Sequence, residues 1–141
     1  MEITETMKSA LLETARDFAS RAYVPYSGFP VGAAVLVEDG SIVGGVNIEN
    51  ASYPLTICGE RSATATAASR GYRTIFAVAV SAPRAPATTP CGACRQVLNE
   101  FKPLDTEMLV LLDEGGTWQE TTLNALLPNA FGPRDLERAG S

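Results

Sequence analysis

The chain contains three cysteines and no histidine, and the cysteines fall in two groups. Cys58 opens the sequence Cys-Gly-Glu, and Cys91 and Cys94 belong to a Pro-Cys-Gly-Ala-Cys sequence. Each group lies where a helix is predicted to begin, because residues 58–70 are rich in alanine and end at a glycine, and residues 91–101 follow a proline. A fold in which the cysteines act together must bring these two helix starts to one point.

The apolar pattern between and around the cysteines predicts a single mixed sheet with helices packed on its faces, which is an α/β class. An amphipathic helix is expected over residues 7–22, ending before Pro25, and a short helix over residues 123–127. The predicted strands cover residues 31–37, 42–46, 74–80, 107–112 and 117–121, the first two forming a hairpin through an Asp-Gly turn. Residues 1–133 are expected to form one domain, followed by a mobile polar tail over residues 134–141.

Composition and charge narrow the classes of partner. The net charge of -5 and the pI near 4.7 argue against a nucleic-acid partner, because such proteins carry a basic surface. The first 21 residues mix charges with apolar residues, so neither a signal peptide nor a membrane partner is expected. Three cysteines fit a reducing compartment better than a disulfide framework, which makes the cytoplasm the expected location.

The cysteine pattern predicts a catalytic zinc site. Such sites use three protein ligands and leave one tetrahedral position to water, and Cys58, Cys91 and Cys94 supply three. Helix starts carry a partial positive charge and free amide donors, which offset the negative charge of three thiolates. Arg61 is expected to compensate the sulfurs further, and Arg95 is a second candidate for that role. Glu60 is placed to carry protons for a water that the metal acidifies.

Other interpretations of the same residues stay open at this point. Buried cysteines often act only as small apolar side chains, and a single Cys-x-x-Cys pair also occurs in redox and structural zinc sites. A glutamate in the first turn of a helix often only stabilises that helix. The combination of all three cysteines with Glu60 favours a metal site.

Beyond the cysteines, the chain resembles a known family, the small homotetrameric zinc-dependent cytidine deaminases of the three-cysteine type. The resemblance runs from residue 22 to residue 133. It rests on five motifs in order: Tyr-Ser-Gly-Phe-Pro-Val-Gly-Ala-Ala at 26–34, Asn-Ile-Glu-Asn-Ala-Ser-Tyr-Pro at 47–54, Cys-Gly-Glu-Arg at 58–61, Pro-Cys-Gly-Ala-Cys-Arg-Gln at 90–96, and Leu-Pro at 127–128 with Ala-Phe-Gly-Pro at 130–133. The chain departs from the family pattern at Gly59, where alanine is common, and at Asn129, in a stretch that is often apolar. It implies a three-layer α/β/α fold, one Zn²⁺ per subunit and a catalytic domain over residues 1–133.

The resemblance also implies how a pyrimidine nucleoside would bind. Phe29 would stack on the base, and Asn47 and Glu49 would bind the ribose, chiefly its 3′-hydroxyl. Glu60 would contact N3 and the 4-amino group. The backbone at Gly59 and at Cys91 would hold the polar edge of the base.

By the same resemblance, each site would be completed by other subunits of a homotetramer. Ala51, Tyr53 and Phe131 would reach the pocket of a neighbour. Without the resemblance, Phe29 and Phe131 would be interpreted as core aromatics and residues 47–50 as a polar loop.

The expected activity is hydrolytic deamination of cytidine and 2′-deoxycytidine to uridine and 2′-deoxyuridine, with release of ammonia, in pyrimidine salvage. One alternative is deamination of another aminopyrimidine, such as the antibiotic blasticidin S. The segment at 47–50 favours cytidine over that substrate. A second alternative is a non-catalytic zinc-binding module, although such a module has no use for Glu60 beside an open metal position.

Overall fold

The computed structural model, which describes residues 1–140 and the side chains of residues 1–137, contains one five-stranded mixed sheet. Its strands are β1 (Gly32–Val37), β2 (Ile42–Val46), β3 (Ile75–Ser81), β4 (Leu109–Asp113) and β5 (Trp118–Thr122). The strand order is β2-β1-β3-β4-β5. Only β3 and β4 are parallel, and the other neighbours are antiparallel. The predicted five strands and the mixed sheet are therefore confirmed.

Within residues 1–140, five α-helices accompany the sheet, together with a 3-10 turn at Tyr53–Leu55. They are α1 (Glu5–Ala19), α2 (Gly59–Ser69), α3 (Gly92–Glu100), α4 (Leu123–Leu126) and α5 (Pro133–Gly140). The side chain of Thr4 caps α1 by accepting a hydrogen bond from the backbone nitrogen of Met7 at 3.2 Å. α3 connects the two parallel strands, as a crossover between parallel strands requires.

The sheet separates two apolar clusters, which gives the three-layer α/β/α arrangement. On one face, Leu11, Leu12 and Ala15 of α1 pack against Ala34 and Leu36 of β1. The other face buries the cluster Ala33, Val35, Val37, Val43, Ala63, Ala67, Ile75, Val78, Val80, Leu98, Met108, Val110, Leu112 and Leu123. This second cluster includes residues of α2 and α3, so both predicted cysteine helices lie on the same face of the sheet.

Two strand glycines allow helices to lie directly on the sheet. A Cβ at Gly32 would overlap the carbonyl oxygen of Ala15 in α1, and a Cβ at Gly45 would overlap the backbone nitrogen of Ala63 in α2. The close approach at Gly45 matters for function, because α2 carries Glu60 and begins directly after Cys58.

The C-terminal segment differs from the expectation. Residues 134–140, expected to belong to a mobile polar tail, are helical, and residue 141 lies outside the described residues. Pro133 opens this helix, and Asp135 accepts a hydrogen bond from the backbone nitrogen of Gly132 at 2.8 Å. The mobility of the segment stays a prediction. No helix within residues 1–140 is long and apolar enough to cross a bilayer.

Candidate active site

Two helix starts bring the three cysteines together. Cys58 is the N-terminal cap residue of α2 and Cys91 that of α3, and both have extended backbone conformations. Cys94 lies in the first turn of α3 and is buried. The three sulfur atoms lie within 4.8 Å of one another. The unpaired amides of both helices therefore meet at the sulfur cluster, as the sequence predicted.

The sulfur geometry fits zinc. Cys58 Sγ lies 3.8 Å from Cys91 Sγ, and Cys91 Sγ lies 3.3 Å from Cys94 Sγ. Sulfurs bound to zinc at about 2.3 Å in a tetrahedron lie about 3.8 Å apart, so the cluster needs only small adjustments to hold the ion. All three cysteines are free of disulfides. Thiolates are ligands that zinc prefers, and a set of three leaves one position for water.

The charges around the cluster favour a thiolate at Cys58. A hydrogen bond with the Cys94 thiol, with Arg61 assisting, lowers the pKa of Cys58 to about 5. The same hydrogen bond, together with burial, raises the pKa of Cys94. The surroundings of Cys58 therefore favour its thiolate form, which is the form that binds a metal.

Arg61 lies against the sulfur of Cys58. Its Nη2 donates to Cys58 Sγ at 3.4 Å and lies 3.5 Å from the carbonyl oxygen of Thr56. Its Nε is buried and has no hydrogen-bond partner among the described residues. The guanidinium thus places a permanent positive charge directly against one ligand sulfur.

Glu60 is a buried carboxylate at the same point, with only 4 % of its surface exposed. Burial, with the negative charge of Cys58, raises the pKa of Glu60 to about 7, although its own backbone amide opposes the shift. A carboxyl group with a pKa near neutral pH can both accept and release a proton at small cost. This is the property that a proton carrier needs.

The loop at residues 26–31 adjoins the start of α2. The start of α2 touches it, since a Cβ on Gly59 would lie 3.2 Å from the carbonyl oxygen of Val31. Asn47 holds the same loop: its Nδ2 donates to the carbonyl oxygen of Phe29, and its Oδ1 accepts from the backbone nitrogen of Val31, both at 2.9 Å. The Asn47 amide therefore fixes the backbone on both sides of Pro30.

Glu49 holds the other end of this loop. Its Oε1 accepts from the backbone nitrogens of Tyr26 at 2.9 Å and Ser27 at 3.1 Å, and its Oε2 accepts from the Ser27 hydroxyl. The Ser27 hydrogen bond is the largest cause of a lowered pKa at Glu49, which keeps this carboxylate ionised. Glu49 also lines a cavity of about 370 Å³ with Tyr26, Tyr53 and others.

Comparison with known proteins decides the family. Residues 5–110 match the sequence profile of the cytidine and deoxycytidylate deaminase zinc-binding region, which is more than half of the chain. The chain belongs to this cytidine deaminase family. It is 48% identical over 129 residues to a cytidine deaminase of Halalkalibacterium halodurans, covering 92% of this chain and 97% of the relative. It is 43% identical over 120 residues to a cytidine deaminase of Mycobacterium tuberculosis, covering 85% of this chain and 86% of the relative.

Solved cytidine deaminase structures have the same fold. The cytidine deaminase of Burkholderia pseudomallei superposes with a TM-score of 0.80 at 42% identity, covering 87% of this chain and 98% of that one. The cytidine deaminase of Mycobacterium tuberculosis superposes with a TM-score of 0.74 at 41% identity, covering 89% of this chain and 97% of that one. The three-layer cytidine-deaminase fold expected from the sequence is confirmed, and the family match together with the cysteine cluster supports zinc as the cofactor.

The residues expected to reach a neighbouring subunit lie at the surface of this deaminase chain. Ala51 is exposed, and Tyr53 and Phe131 are exposed by 71% and 61%. The carbonyl oxygen of Phe131 accepts from Gln96 Nε2 at 2.9 Å and from Asn99 Nδ2 at 3.2 Å, so α3 fixes the backbone that presents this ring. Neither Gln96 nor Asn99 was predicted as a site residue, and only the position of Gln96 directly after the Cys-x-x-Cys-Arg sequence could have suggested it.

Arg95 differs from the expectation that it compensates the sulfurs. Its guanidinium instead donates to the carbonyl oxygen of Pro90 at 2.7 Å, to that of Leu126 at 2.8 Å and to Thr89 Oγ1 at 3.1 Å. These bonds tie the segment before Cys91 to the end of α4. In this deaminase chain Arg95 thus supports residues 89–90, directly before Cys91.

Proposed function

We propose that the protein catalyses the hydrolytic deamination of cytidine and 2′-deoxycytidine to uridine and 2′-deoxyuridine, with release of ammonia. The observation that carries this proposal is the buried Glu60 carboxylate in the first turn of α2, next to Cys58 and Cys94 of a three-cysteine cluster at two helix starts. The activity of the related deaminases supports the same reaction. The reaction consumes one water for each ammonia released.

The proposed chemistry divides between the metal and Glu60. Cys58, Cys91 and Cys94 would hold the zinc ion, which when bound would supply a Lewis acid that makes water reactive at neutral pH. Glu60 would take a proton from the attacking water and give it to N3 of the pyrimidine. It would then take the proton of the new hydroxyl on C4 and give it to the departing 4-amino nitrogen, so that it ends in its starting form. Its pKa of about 7 suits each of these transfers, because neither its acid nor its base form is strongly favoured.

The nucleoside is proposed to bind against the loop at residues 26–31. Phe29 stacks on the pyrimidine ring, and the backbone at Gly59 and Cys91 holds the polar edge of the base. Asn47 and Glu49 bind the ribose. The hydrogen bonds of both side chains to the loop support this assignment, because they orient the two side chains before a substrate arrives.

We also propose a homotetramer in which each site is completed by neighbouring subunits through Ala51, Tyr53 and Phe131. Large apolar side chains exposed near Tyr53 support an interface there. They are Tyr23, Tyr26, Ile48, Leu55 and Ile57. Burying such side chains against another copy removes apolar surface from water, which favours association.

Mixing inactive variants tests the composite site. Glu60→Gln subunits and Phe131→Ala subunits should each be inactive or weak alone. After joint unfolding and refolding, mixed tetramers should regain part of the activity, because some sites combine an intact Glu60 with an intact Phe131 from another subunit. The mass in solution, from sedimentation or light scattering, should correspond to four chains. A fully active monomer would overturn this part of the proposal.

The proposed setting is pyrimidine salvage in the cytoplasm. A reducing compartment keeps three zinc-binding cysteines as thiols, which supports this location. Cell fractionation with activity measured in each fraction tests it, and activity confined to a secreted fraction would contradict it.

The reaction is tested with purified protein of known zinc content. Cytidine, 2′-deoxycytidine, cytidine monophosphate and blasticidin S are compared by the fall in pyrimidine absorbance and by ammonia release. Turnover of the two nucleosides is expected, with loss on chelation and recovery on adding zinc. No turnover of cytidine by zinc-loaded protein would overturn the proposal, and turnover of blasticidin S alone would assign a different substrate.

A further inference from the structure

Ser27 connects two parts of the nucleoside site that the proposed function treats separately. Its hydroxyl donates to Glu49 Oε2 and accepts from the backbone nitrogen of Phe29 at 3.0 Å. One hydroxyl therefore links the proposed ribose-binding carboxylate to the residue proposed to stack on the base. Glu49 lies 22 positions from Ser27, so the link is a tertiary contact and goes beyond a local turn.

The geometry leaves one part of Glu49 available to a ligand. Its Oε1 already accepts two backbone hydrogen bonds, from Tyr26 and Ser27. Its Oε2 accepts only the Ser27 hydroxyl among the described residues, and a carboxylate oxygen has room for a second donor. The Ser27 bond therefore sets the direction in which the remaining acceptor site of Oε2 points.

Hydrogen bonds, more than burial, hold the loop around Ser27. Within the single chain Tyr26, Ser27 and Gly28 are exposed. Gly28 has a φ of +64°, a conformation that favours glycine. Arg84, from the loop after β3, donates to the carbonyl oxygen of Gly28 at 2.8 Å. Polar contacts at Ser27 and its neighbours thus determine the shape of the loop.

We propose that Ser27 is a positioning residue for the nucleoside: it aligns the ribose acceptor Glu49 with the base-stacking Phe29. This inference rests on the proposed function, because it takes a nucleoside hydroxyl as the donor to Glu49. Ser27 itself does not touch the reacting atoms. Its removal should therefore weaken substrate binding far more than it slows the chemical step.

The test compares the variant Ser27→Ala with Ser27→Thr, which keeps the hydroxyl. Steady-state rates are measured on cytidine and on 3′-deoxycytidine, which lacks the hydroxyl assigned to Glu49. For Ser27→Ala we expect KM for cytidine to rise about tenfold, the effect of losing one oriented hydrogen bond, with kcat changed less than about threefold. On 3′-deoxycytidine, Ser27→Ala should raise KM by less than about threefold. Ser27→Thr should have a KM for cytidine close to that of the wild type.

A double variant separates positioning from general support of the loop. If Ser27 acts through Glu49, KM for cytidine in the double variant Ser27→Ala/Glu49→Gln should be less than about twofold higher than in Glu49→Gln alone. Ser9→Ala, at an exposed serine of α1, is the matched control and should change neither KM nor kcat. Thermal melting and zinc content of every variant establish that the fold and the metal site are intact.

The results separate this inference from the proposed function. Wild-type protein that does not turn over cytidine would overturn both. Wild-type activity with an unchanged KM in Ser27→Ala would overturn the inference alone. An equal rise in KM on cytidine and on 3′-deoxycytidine would also overturn the inference. So would a rise in KM from Ser27→Ala that is as large in the Glu49→Gln variant as in the wild type. Either result would give Ser27 only a structural role in the loop.

Discussion

The cysteine cluster and the loop at residues 26–31 adjoin each other in this deaminase but are held by different interactions. The cluster lies at the starts of α2 and α3, whose apolar residues belong to the main core. The loop is exposed at residues 26–28 and half-buried at residues 29–31. Four side chains hold it through hydrogen bonds to its backbone or hydroxyl: Ser27, Asn47, Glu49 and Arg84. The proposed chemical half of the site is therefore fixed by helix packing, and the proposed nucleoside-binding half by polar contacts.

This difference predicts different kinetic results for substitutions in the two halves. Changes at the cluster should affect turnover or zinc retention. Changes in the loop should affect mainly KM, because they alter the placement of the nucleoside while the reacting groups stay in position. The two halves meet at Gly59 and Val31, where both kinds of effect can be transmitted.

The largest expected effect is the loss of turnover in Glu60→Gln. Glutamine keeps the size of the side chain and cannot carry protons, so we expect kcat to fall by at least about a hundredfold while zinc content is retained. Turnover of cytidine and bound zinc are measured on the same sample. Glu13→Gln, at an exposed glutamate of α1, is the control. Near-normal turnover in Glu60→Gln would remove the proton-carrying role.

The second effect should appear in metal binding. Arg61→Ala removes the positive charge that lies 3.4 Å from Cys58 Sγ, so we expect zinc affinity to fall about ten- to a hundredfold. Competition with a chromophoric chelator measures it. Arg61→Lys should retain part of the affinity through its charge, and Arg70→Ala, at the exposed end of the same helix, should change nothing. Wild-type affinity in Arg61→Ala would contradict this role.

A substitution in the loop should give the opposite kinetic pattern. Asn47→Asp keeps the acceptor for the backbone nitrogen of Val31 and loses the donor to the carbonyl oxygen of Phe29. A carboxylate would then face a carbonyl oxygen, so we expect KM for cytidine to rise about tenfold and kcat to change less. Asn50→Asp is the control, because the Oδ1 of Asn50 accepts from the backbone nitrogen of Ser52 and this contact survives. A fall confined to kcat would contradict the comparison.

The same division explains which features could be predicted from the sequence. The zinc ligands and Glu60 are encoded locally, because cysteines at helix starts and a first-turn carboxylate need only helix signals to be placed. The five strands follow from short apolar runs and an Asp-Gly turn. The partners of Arg95 could not be predicted in this way, since Leu126 lies 31 positions away and contributes a backbone carbonyl, which has no side-chain signal.

The loop contacts and the C-terminal helix were missed for related reasons. Glu49 was predicted to contact a ligand, but its bonds to Tyr26 and Ser27 depend on how two loops meet in space. The polar composition of residues 134–140 suggested a mobile tail, whereas Pro133 and Asp135 favour a helix start. Polar contacts between distant backbone segments are the part of this site that local patterns do not encode.

The smallest expected effect lies at the junction of the two halves. In Gly59→Ala the new Cβ would lie 3.2 Å from the carbonyl oxygen of Val31, a tight contact that a shift of a few tenths of an ångström relieves. Alanine also restricts the unfolded chain, which stabilises the fold by about 0.4–1 kcal/mol and offsets the contact. We expect the melting temperature to change by less than about 3 °C, the scale of 1 kcal/mol in a chain of this size, and KM by less than about twofold.

Gly45→Ala, in strand β2, provides the matched contrast for Gly59→Ala, because its new Cβ would press against the same helix, α2. Its Cβ would overlap the backbone nitrogen of Ala63, and α2 would have to move away from the sheet. We expect a loss of about 1–3 kcal/mol in the free energy of unfolding, measured by denaturant titration, because overpacking against backbone cannot be relieved by a side-chain rotation. Equal effects of the two substitutions would contradict the view that α2 is fixed against the sheet while the loop beside Val31 can adjust.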